Sequence, residues 1–408
     1  MRQQVPNIDF QTVPKQLLAH LSACLLAFIA NSTCLGNEPW QRHTIDSSSI
    51  GADGVRLADF NQDGNLDVVT GWEESGVIRI YLNPGPDNSK QLWPYCQIGE
   101  GKSPEDAVAF DIDGDGILEV ISCHEGKFKQ ILVHKFNGYS DVLPADRNDQ
   151  ELLDPANWTT SSVSKLAGQQ WMFATPIKLR NSCHGIVFGS KGPQATLTLL
   201  LQPSEKVKDL NRWRPIRLRD CGWVMSIQNI DMDNDGDIDI VFSDRKTNTR
   251  MVGWLEQPNQ SVEDREWEQH EIGAASTEPM FIEASSNRIL VPTRDSNWID
   301  FRKTKDGNWK NNIHGNPPSV PFGKAIRALG ENNIILTANT AADKESEDQP
   351  GIWLKRPTTG WQPIGTSNEC KFDRMELIDL DGDGDLDILT CEERRRLGVV
   401  WYENPGVK

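Results

Sequence analysis

Asp379-Leu-Asp381-Gly-Asp383-Gly384-Asp385-Leu-Asp387, running on into Ile388-Leu-Thr390, decides the reading of this chain. Acidic residues stand at positions 1, 3, 5 and 9, glycine at 6, and a short apolar strand follows. The pattern recurs three times. The first copy is Asp59-Phe-Asn61-Gln-Asp63-Gly64-Asn65-Leu-Asp67. The second is Asp111-Ile-Asp113-Gly-Asp115-Gly116-Ile117-Leu-Glu119, and the third Asp231-Met-Asp233-Asn-Asp235-Gly236-Asp237-Ile-Asp239. Alternating carboxylates around a tight turn converge on one centre, and glycine at position 6 permits the bend. Six to eight hard oxygen ligands in flexible geometry suit Ca²⁺ better than Mg²⁺, which keeps its waters and demands an octahedron. Position 7 offers its carbonyl whatever its side chain, which accommodates Asn65, Ile117, Asp237 and Asp385 alike. An EF-hand needs Glu at position 12 and flanking helices. Here position 12 is Thr70, Ser122, Phe242 or Thr390, and the flanks are strands. The competing reading is a metal-free Asx turn, but without a cation the carboxylates would repel one another. Up to four calcium ions are therefore expected.

The loops sit inside a longer repeat. A tryptophan opens a strand-like segment at Trp40, Trp93, Trp158, Trp213, Trp267, Trp309 and Trp361, at intervals of 53, 65, 55, 54, 42 and 52 residues. The longest interval holds a polar insertion at 137–157, read as a surface loop. Each unit reads as four short strands, the pattern of a propeller blade, and seven units close a ring. If the tryptophan strand is outermost, residues 40–45 have no blade of their own and complete the last one. The expected blades are 55–98, 106–163, 172–218, 223–272, 279–313, 324–364, and 372–403 with 40–45. The fold class is all-β: a seven-bladed β-propeller closed by its N-terminal strand. An open solenoid or two smaller β domains are the alternatives.

At the four loops the chain resembles the FG-GAP or VCBS repeat family, which includes the propeller heads of integrin α chains and many exported bacterial proteins. The resemblance implies a hairpin that joins the two inner strands of a blade and holds Ca²⁺. Three blades carry 179–185, 284–288 and 329–333 in its place; these lack the carboxylates, and no metal is assigned to them. Adhesion of the integrin kind is not implied.

The remaining features bound the function. The chain has 408 residues and a net charge of −17, which opposes nucleic acid or an anionic membrane as partner. Arg2 and Lys15 precede the apolar run 17–30, and small residues follow. Residues 1–36 therefore read as a signal peptide and 37–408 as the propeller domain; a retained anchor helix is the alternative. Cys24 has too little apolar chain before it for a lipid anchor. Export implies a secreted, periplasmic or surface protein without membrane insertion after processing, and permits disulfides. The spacings of Cys96, Cys123, Cys183, Cys221, Cys370 and Cys391 form no framework, so no pairing is assigned.

The loops of the face opposite the calcium hairpins differ from blade to blade. They carry Glu105, Asp106, Glu125, Trp171, Lys191, Trp223, Asp244, Arg245, Arg294, Lys324, Asp373, Arg374 and Glu392, with Asp53, Arg56, Glu73 and Lys371 nearby. Mixed charge with tryptophan around a pore suits a polar ligand such as a sugar. Loops are also polar simply because they are wet. Three function classes compete: a binding module for an extracellular glycan or protein, a carbohydrate lyase or dehydratase using such residues as acid, base or anion clamp, and a surface scaffold. A deep pocket with carboxylates beside Lys or Arg would favour the enzyme. Shallow repeated sites floored by tryptophan would favour the lectin.

Overall fold

The computed structural model describes residues 40–406 apart from 140–147, 181–183, 206, 260–261, 263–265, 319, 339–349, 367–368 and 370. The expected signal segment, part of the 137–157 insertion, Cys183 and Cys370 fall outside the described residues. Trp40–Asn404 forms one compact unit. It contains seven four-stranded antiparallel sheets. Among the described residues helix is confined to single turns such as Asp149–Leu152. No helix among the described residues is long and apolar enough to cross a membrane.

Each sheet is one blade of a β-propeller. The inner strands are Ala52–Ala58, Pro104–Phe110, Gln170–Lys178, Val224–Ile230, Glu283–Ala284, Gly323–Leu329 and Phe372–Ile378. The outer strands of blades 1 to 6 are Tyr95–Glu100, Trp158–Ser162, Arg214–Asp220, Glu268–Gly273, Trp309–Gly315 and Gly360–Pro363. Gln41–Asp46 supplies the outer strand of blade 7. It pairs antiparallel with Gly398–Glu403, Gln41 opposite Glu403 and Thr44 opposite Val400. The N-terminal strand thus closes the ring, as the phase of the tryptophan repeat predicts. Several blades begin a few residues earlier than that repeat suggests, because the entering turn already pairs with the second strand.

The second strands carry the core. Asp67–Trp72, Glu119–His124, Asp239–Asp244 and Asp387–Glu392 are buried along their whole length. They lie between two neighbours in their own sheet and between two sheets in the ring, which is why they read as nearly unbroken apolar runs. The repeated tryptophans Trp40, Trp93, Trp158, Trp213 and Trp267 are each at most 7% exposed and fill the spaces between outer strands. His43 and His270 stack on Trp401 and Trp254 in equivalent outer strands, with ring centres 4.4 and 4.1 Å apart. Each also bonds a glutamate, Glu403 or Glu256, at 2.8 Å. These histidines are structural.

Candidate functional site

Two regions compete for function, one on each face of the ring. The Asp-rich loops join the inner and second strands of blades 1, 2, 4 and 7. Gly64, Gly116, Gly236 and Gly384 adopt φ of 90°, 81°, 94° and 94°. A Cβ on Gly64, Gly236 or Gly384 would meet nothing within 4 Å. The requirement for glycine is therefore conformational rather than spatial.

The loop carboxylates do two jobs. At position 1, Asp59, Asp111, Asp231 and Asp379 each accept the N–H of the position-6 glycine, at 2.9–3.1 Å. At position 5, Asp63, Asp115, Asp235 and Asp383 accept the N–H two residues on. At position 9 the carboxylate is a strap. Asp387 accepts from Leu380 N at 2.9 Å through one oxygen and from Asn404 N at 2.8 Å through the other. Asp67 does the same with Phe60 and Asn83, and Asp239 with Met232 and Gln257. Glu119 retains the inner half, to Ile112 N at 3.0 Å. Burial raises these four groups, Asp67, Glu119 and Asp387 to about 7 and Asp239 to about 6, against the pull of their N–H donors.

Other loop oxygens have no such occupation. Oδ1 of Asp113, Asp231, Asp381 and Asp385 is buried without a hydrogen-bond partner. The sets Asp111, Asp113, Asp115 and Asp231, Asp233, Asp239 each bring a carboxylate oxygen within 4.8 Å of the others. Buried acceptors without donors, all hard oxygens, fit a hard cation. Side-chain cations from other blades also reach three of the loops. Lys208 lies 3.1 Å from Asp113, Arg180 lies 2.7 Å from Asp235, and Lys90 lies 3.1 Å from Asp381. In the loop of blade 1, Asn61 accepts from Asp63 N, while Gln62 reaches across to the Gly116 carbonyl.

The opposite face is built by a different device. Six inner strands carry one more residue than their partners just after entry. In blade 2, Pro104 and Asp106 face His124 and Cys123, leaving Glu105 as the extra residue. Met172 and Met225 occupy the same place in blades 3 and 4. Blades 6 and 7 set Lys324-Ala325 and Asp373-Arg374 against one residue each, and blade 1 sets Gly54-Val55 against Thr70. A bulge bends the strand and re-aims its side chain. The backbone groups it frees are taken by hydroxyls of the second strand: Thr390 donates to Arg374 O at 2.9 Å, and Thr337 accepts from Ala325 N at 2.8 Å.

The bulges aim Glu105, Met172, Met225, Lys324 and Asp373 into one central cavity of about 190 Å³. Asp53, Glu73, Lys191, Arg245, Arg294 and Lys371 complete its charged lining, with Phe173, Trp223, Met280 and Phe281 adding to its apolar part. Lys324 pairs with Asp373, Lys191 with Glu125, and Lys371 with Glu393. Lys191 also lies 3.8 Å from Glu105. Burial raises Asp53 to about 7, against the opposing field of Lys324, and pushes Glu105 well above the carboxylate range. Burial also lowers Lys324 to about 8, with Lys371 adding to the effect.

Several residues expected on this face lie elsewhere. Trp171 is buried inside blade 3 and donates to Leu166 O. Asp244 is fully buried and accepts from Trp223 N at 2.9 Å and Thr249 Oγ1 at 2.7 Å, holding the turn that presents Trp223. Glu392 likewise accepts from Arg395 N at 2.7 Å. Asp106 binds Arg56 through two bonds of 2.8 and 2.6 Å, and Arg374 binds Glu376 at 2.8 Å. These two pairs belong to the wall below the cavity. Sequence reasoning passed over Met172, Met225, Lys246 and Glu278. The methionines had a signal, since each follows a Trp or Trp-Val at a strand entrance.

Residues 59–122, which span the first two Asp-rich loops, match the model of the FG-GAP-like repeat family. This stretch is an FG-GAP-like repeat. Loops 231–239 and 379–387 carry the same residue pattern outside the matched stretch. No curated protein matches the chain. Among solved structures, a chain of the crystal structure of BBS1N in complex with ARL6DN, soaked with mercury, superposes with a TM-score of 0.51. The two share 9% identity, over 90% of this chain and 97% of that one. At that identity the likeness concerns the fold alone. A fold shared with 470 solved chains does not select a function. The site itself must carry that argument.

Proposed function

We propose that the protein is an exported binding module that takes an extracellular glycan or protein ligand into the mouth opposite its Asp-rich hairpins. One observation carries the reading: five strand entrances bulge so as to bring Glu105, Met172, Met225, Lys324 and Asp373 into a single cavity. Bulges placed this regularly suit a ligand pocket, because they interrupt ladders that would otherwise continue. A concave site with apolar walls and a few convergent charges orients a polar ligand. On this reading residues 1–36 direct export, which agrees with the extracellular setting usual for FG-GAP repeats, and calcium occupies the Asp-rich loops. Calcium there fixes the hairpins of the far face and touches no ligand. Nucleic acid and lipid surfaces are poor partners for a chain of net charge −17.

A glycan array probed with the full chain tests the proposal. Binding is expected to fall at least about tenfold in Glu105→Gln, with little change in melting temperature, and in Lys324→Met, which also lowers that temperature by stranding the buried Asp373. Binding that ignores both substitutions removes the mouth as the site. A second reading has its own support. Asp53 at about 7 and Lys324 at about 8 share the cavity, and groups titrating near neutrality suit proton transfer. A lyase or dehydratase acting on carbohydrate would use them as acid and base. Turnover of an array ligand, abolished by Asp53→Asn, would select that reading.

A further inference from the structure

Beside the central cavity lies a larger one of about 430 Å³, between blades 4 and 5. Its origin is local. The inner strand of blade 5 shrinks to Glu283–Ala284, so residues 274–282 enter largely as irregular chain and leave a recess. Arg245, Lys246, Arg250 and Arg294 line it against two carboxylates, Glu278 and Asp295. This is a cationic excess on a strongly acidic chain. Glu278 is occupied by Lys246 at 2.5 Å and by Arg294 at 3.7 Å.

Arg245 is different. It is 7% exposed, its guanidinium lies 3.7 Å from the centre of the Trp223 ring, and Nη1 faces the sulfurs of Met225 and Met280 at 3.9 and 3.6 Å. Its Nε has no hydrogen-bond partner, and no carboxylate among the described residues forms an ion pair with it. The indole Nε1 of Trp223 also lacks an acceptor. Glu278 and Glu105 act on Arg245 only from a distance, and a buried cation without a direct ion-pair partner is costly to a fold. Unused donors beside it indicate what would offset that cost, namely an anion with several acceptor oxygens.

We propose that this recess binds the oxyanion of an acidic polysaccharide, a carboxylate or a sulfate ester, on Arg245, with Lys246 and Arg294 at its rim. The proposal rests on the mouth being a binding face and narrows the ligand it takes. The saccharide part follows from what adjoins the recess. Trp223, Arg245 and Arg294 line both cavities, and beyond them stand Asp53, Glu73 and Glu105. Those acids offer no attraction to further negative charge but exchange hydrogen bonds with hydroxyl groups. Ser276 and Thr277 also line the recess. A ligand with one anionic group next to a hydroxyl-rich ring matches this order of charges.

Titration calorimetry of the full chain provides the test, with oligogalacturonate, sulfated dextran and unsubstituted dextran at an ionic strength of about 0.15 M. Saturable binding of a charged saccharide, and none of the neutral one, is expected. The two charged arms distinguish carboxylate from sulfate. Arg245→Met, which places a thioether beside Met225 and Met280, should weaken binding at least about tenfold. Its melting temperature should hold or rise, because a buried charge without a direct ion-pair partner has gone. An arginine with only a structural role would give the opposite thermal result. Full-strength binding by Arg245→Met overturns the assignment, and so does poly-glutamate binding as tightly as the acidic saccharide. If neutral dextran binds and Glu105→Gln abolishes it, the mouth stands as a binding face and the anion site falls. If no saccharide binds, the glycan reading and the anion site both fail.

Discussion

The two faces of the ring are built by opposite rules. On the hairpin face, four loops repeat glycine in the left-handed region and position 1 bonded to that glycine, and in three of them position 9 straps the hairpin to the end of the third strand. On the mouth face the backbone device repeats but the side chain does not, since equivalent bulges present Glu105, Met172, Met225, Lys324 and Asp373. Repetition of residues marks a structural solution that those four blades share. Repetition of backbone with variation of residues marks a surface free to specialise.

Cation removal puts the largest stress on that contrast. Each loop holding calcium at one hundred times its dissociation constant gains about 2.7 kcal/mol. EDTA should therefore lower the melting temperature markedly, with recovery on adding Ca²⁺, while mouth ligand binding well below the transition stays unchanged. A melting curve indifferent to EDTA would make Lys208, Arg180 and Lys90 the only cations of their loops. The next largest effect is expected from Asp387→Ala. It strips the acceptor from two buried N–H groups, those of Leu380 and Asn404, at a cost of about 1–3 kcal/mol each. Urea denaturation with and without EDTA measures it. A loss that persists without calcium identifies the strap as structural in its own right, and a loss that vanishes identifies position 9 as acting through the ion.

The smallest effect concerns histidines inside blade 2. Burial lowers His124 to about 4 and His134 to about 3. Both bond Ser122 Oγ at 2.8 Å, and His124 also bonds the Lys102 carbonyl at the mouth. The unfolded chain takes up protons near 6.5 whereas the folded one does not, so stability falls as pH drops below 6.5. The loss between pH 7 and pH 6 is about 0.7 kcal/mol per histidine. His134→Gln should flatten that slope. An unchanged slope would mean that other groups dominate acid sensitivity.

The hairpin face was largely legible because its signals are local. Nine consecutive residues contain the turn, its glycine and its carboxylates, and the tryptophan period set the blades around them. Ring closure was legible for the same reason: residues 40–45 repeat the outer-strand pattern without a blade to follow. The strap role of position 9 was not, since Asn83, Gln257 and Asn404 lie 16 to 18 residues beyond their acceptors. The mouth was legible only as a face. Position in the entering loops placed Lys324 and Asp373 there, but whether Asp106 lines the cavity or grips Arg56 depends on a partner 50 residues away. Trp171 read as a sugar platform from its type, and packing claimed it for the core.

Closing the wheel with its first strand also sets a schedule. His43 meets Glu403 at a sequence separation of 360 residues, so the final seam forms only after the C-terminal strands have been synthesised. Contacts this distant along the chain slow folding, because loop-closure entropy is lost before they form. Until then, blade 7 exposes an unpaired edge at Gly398–Glu403, the kind of edge that pairs with other chains. Maturation of this protein is thus timed by its last few strands, and agents that shield exposed strand edges should raise its folding yield more than agents that stabilise any single blade.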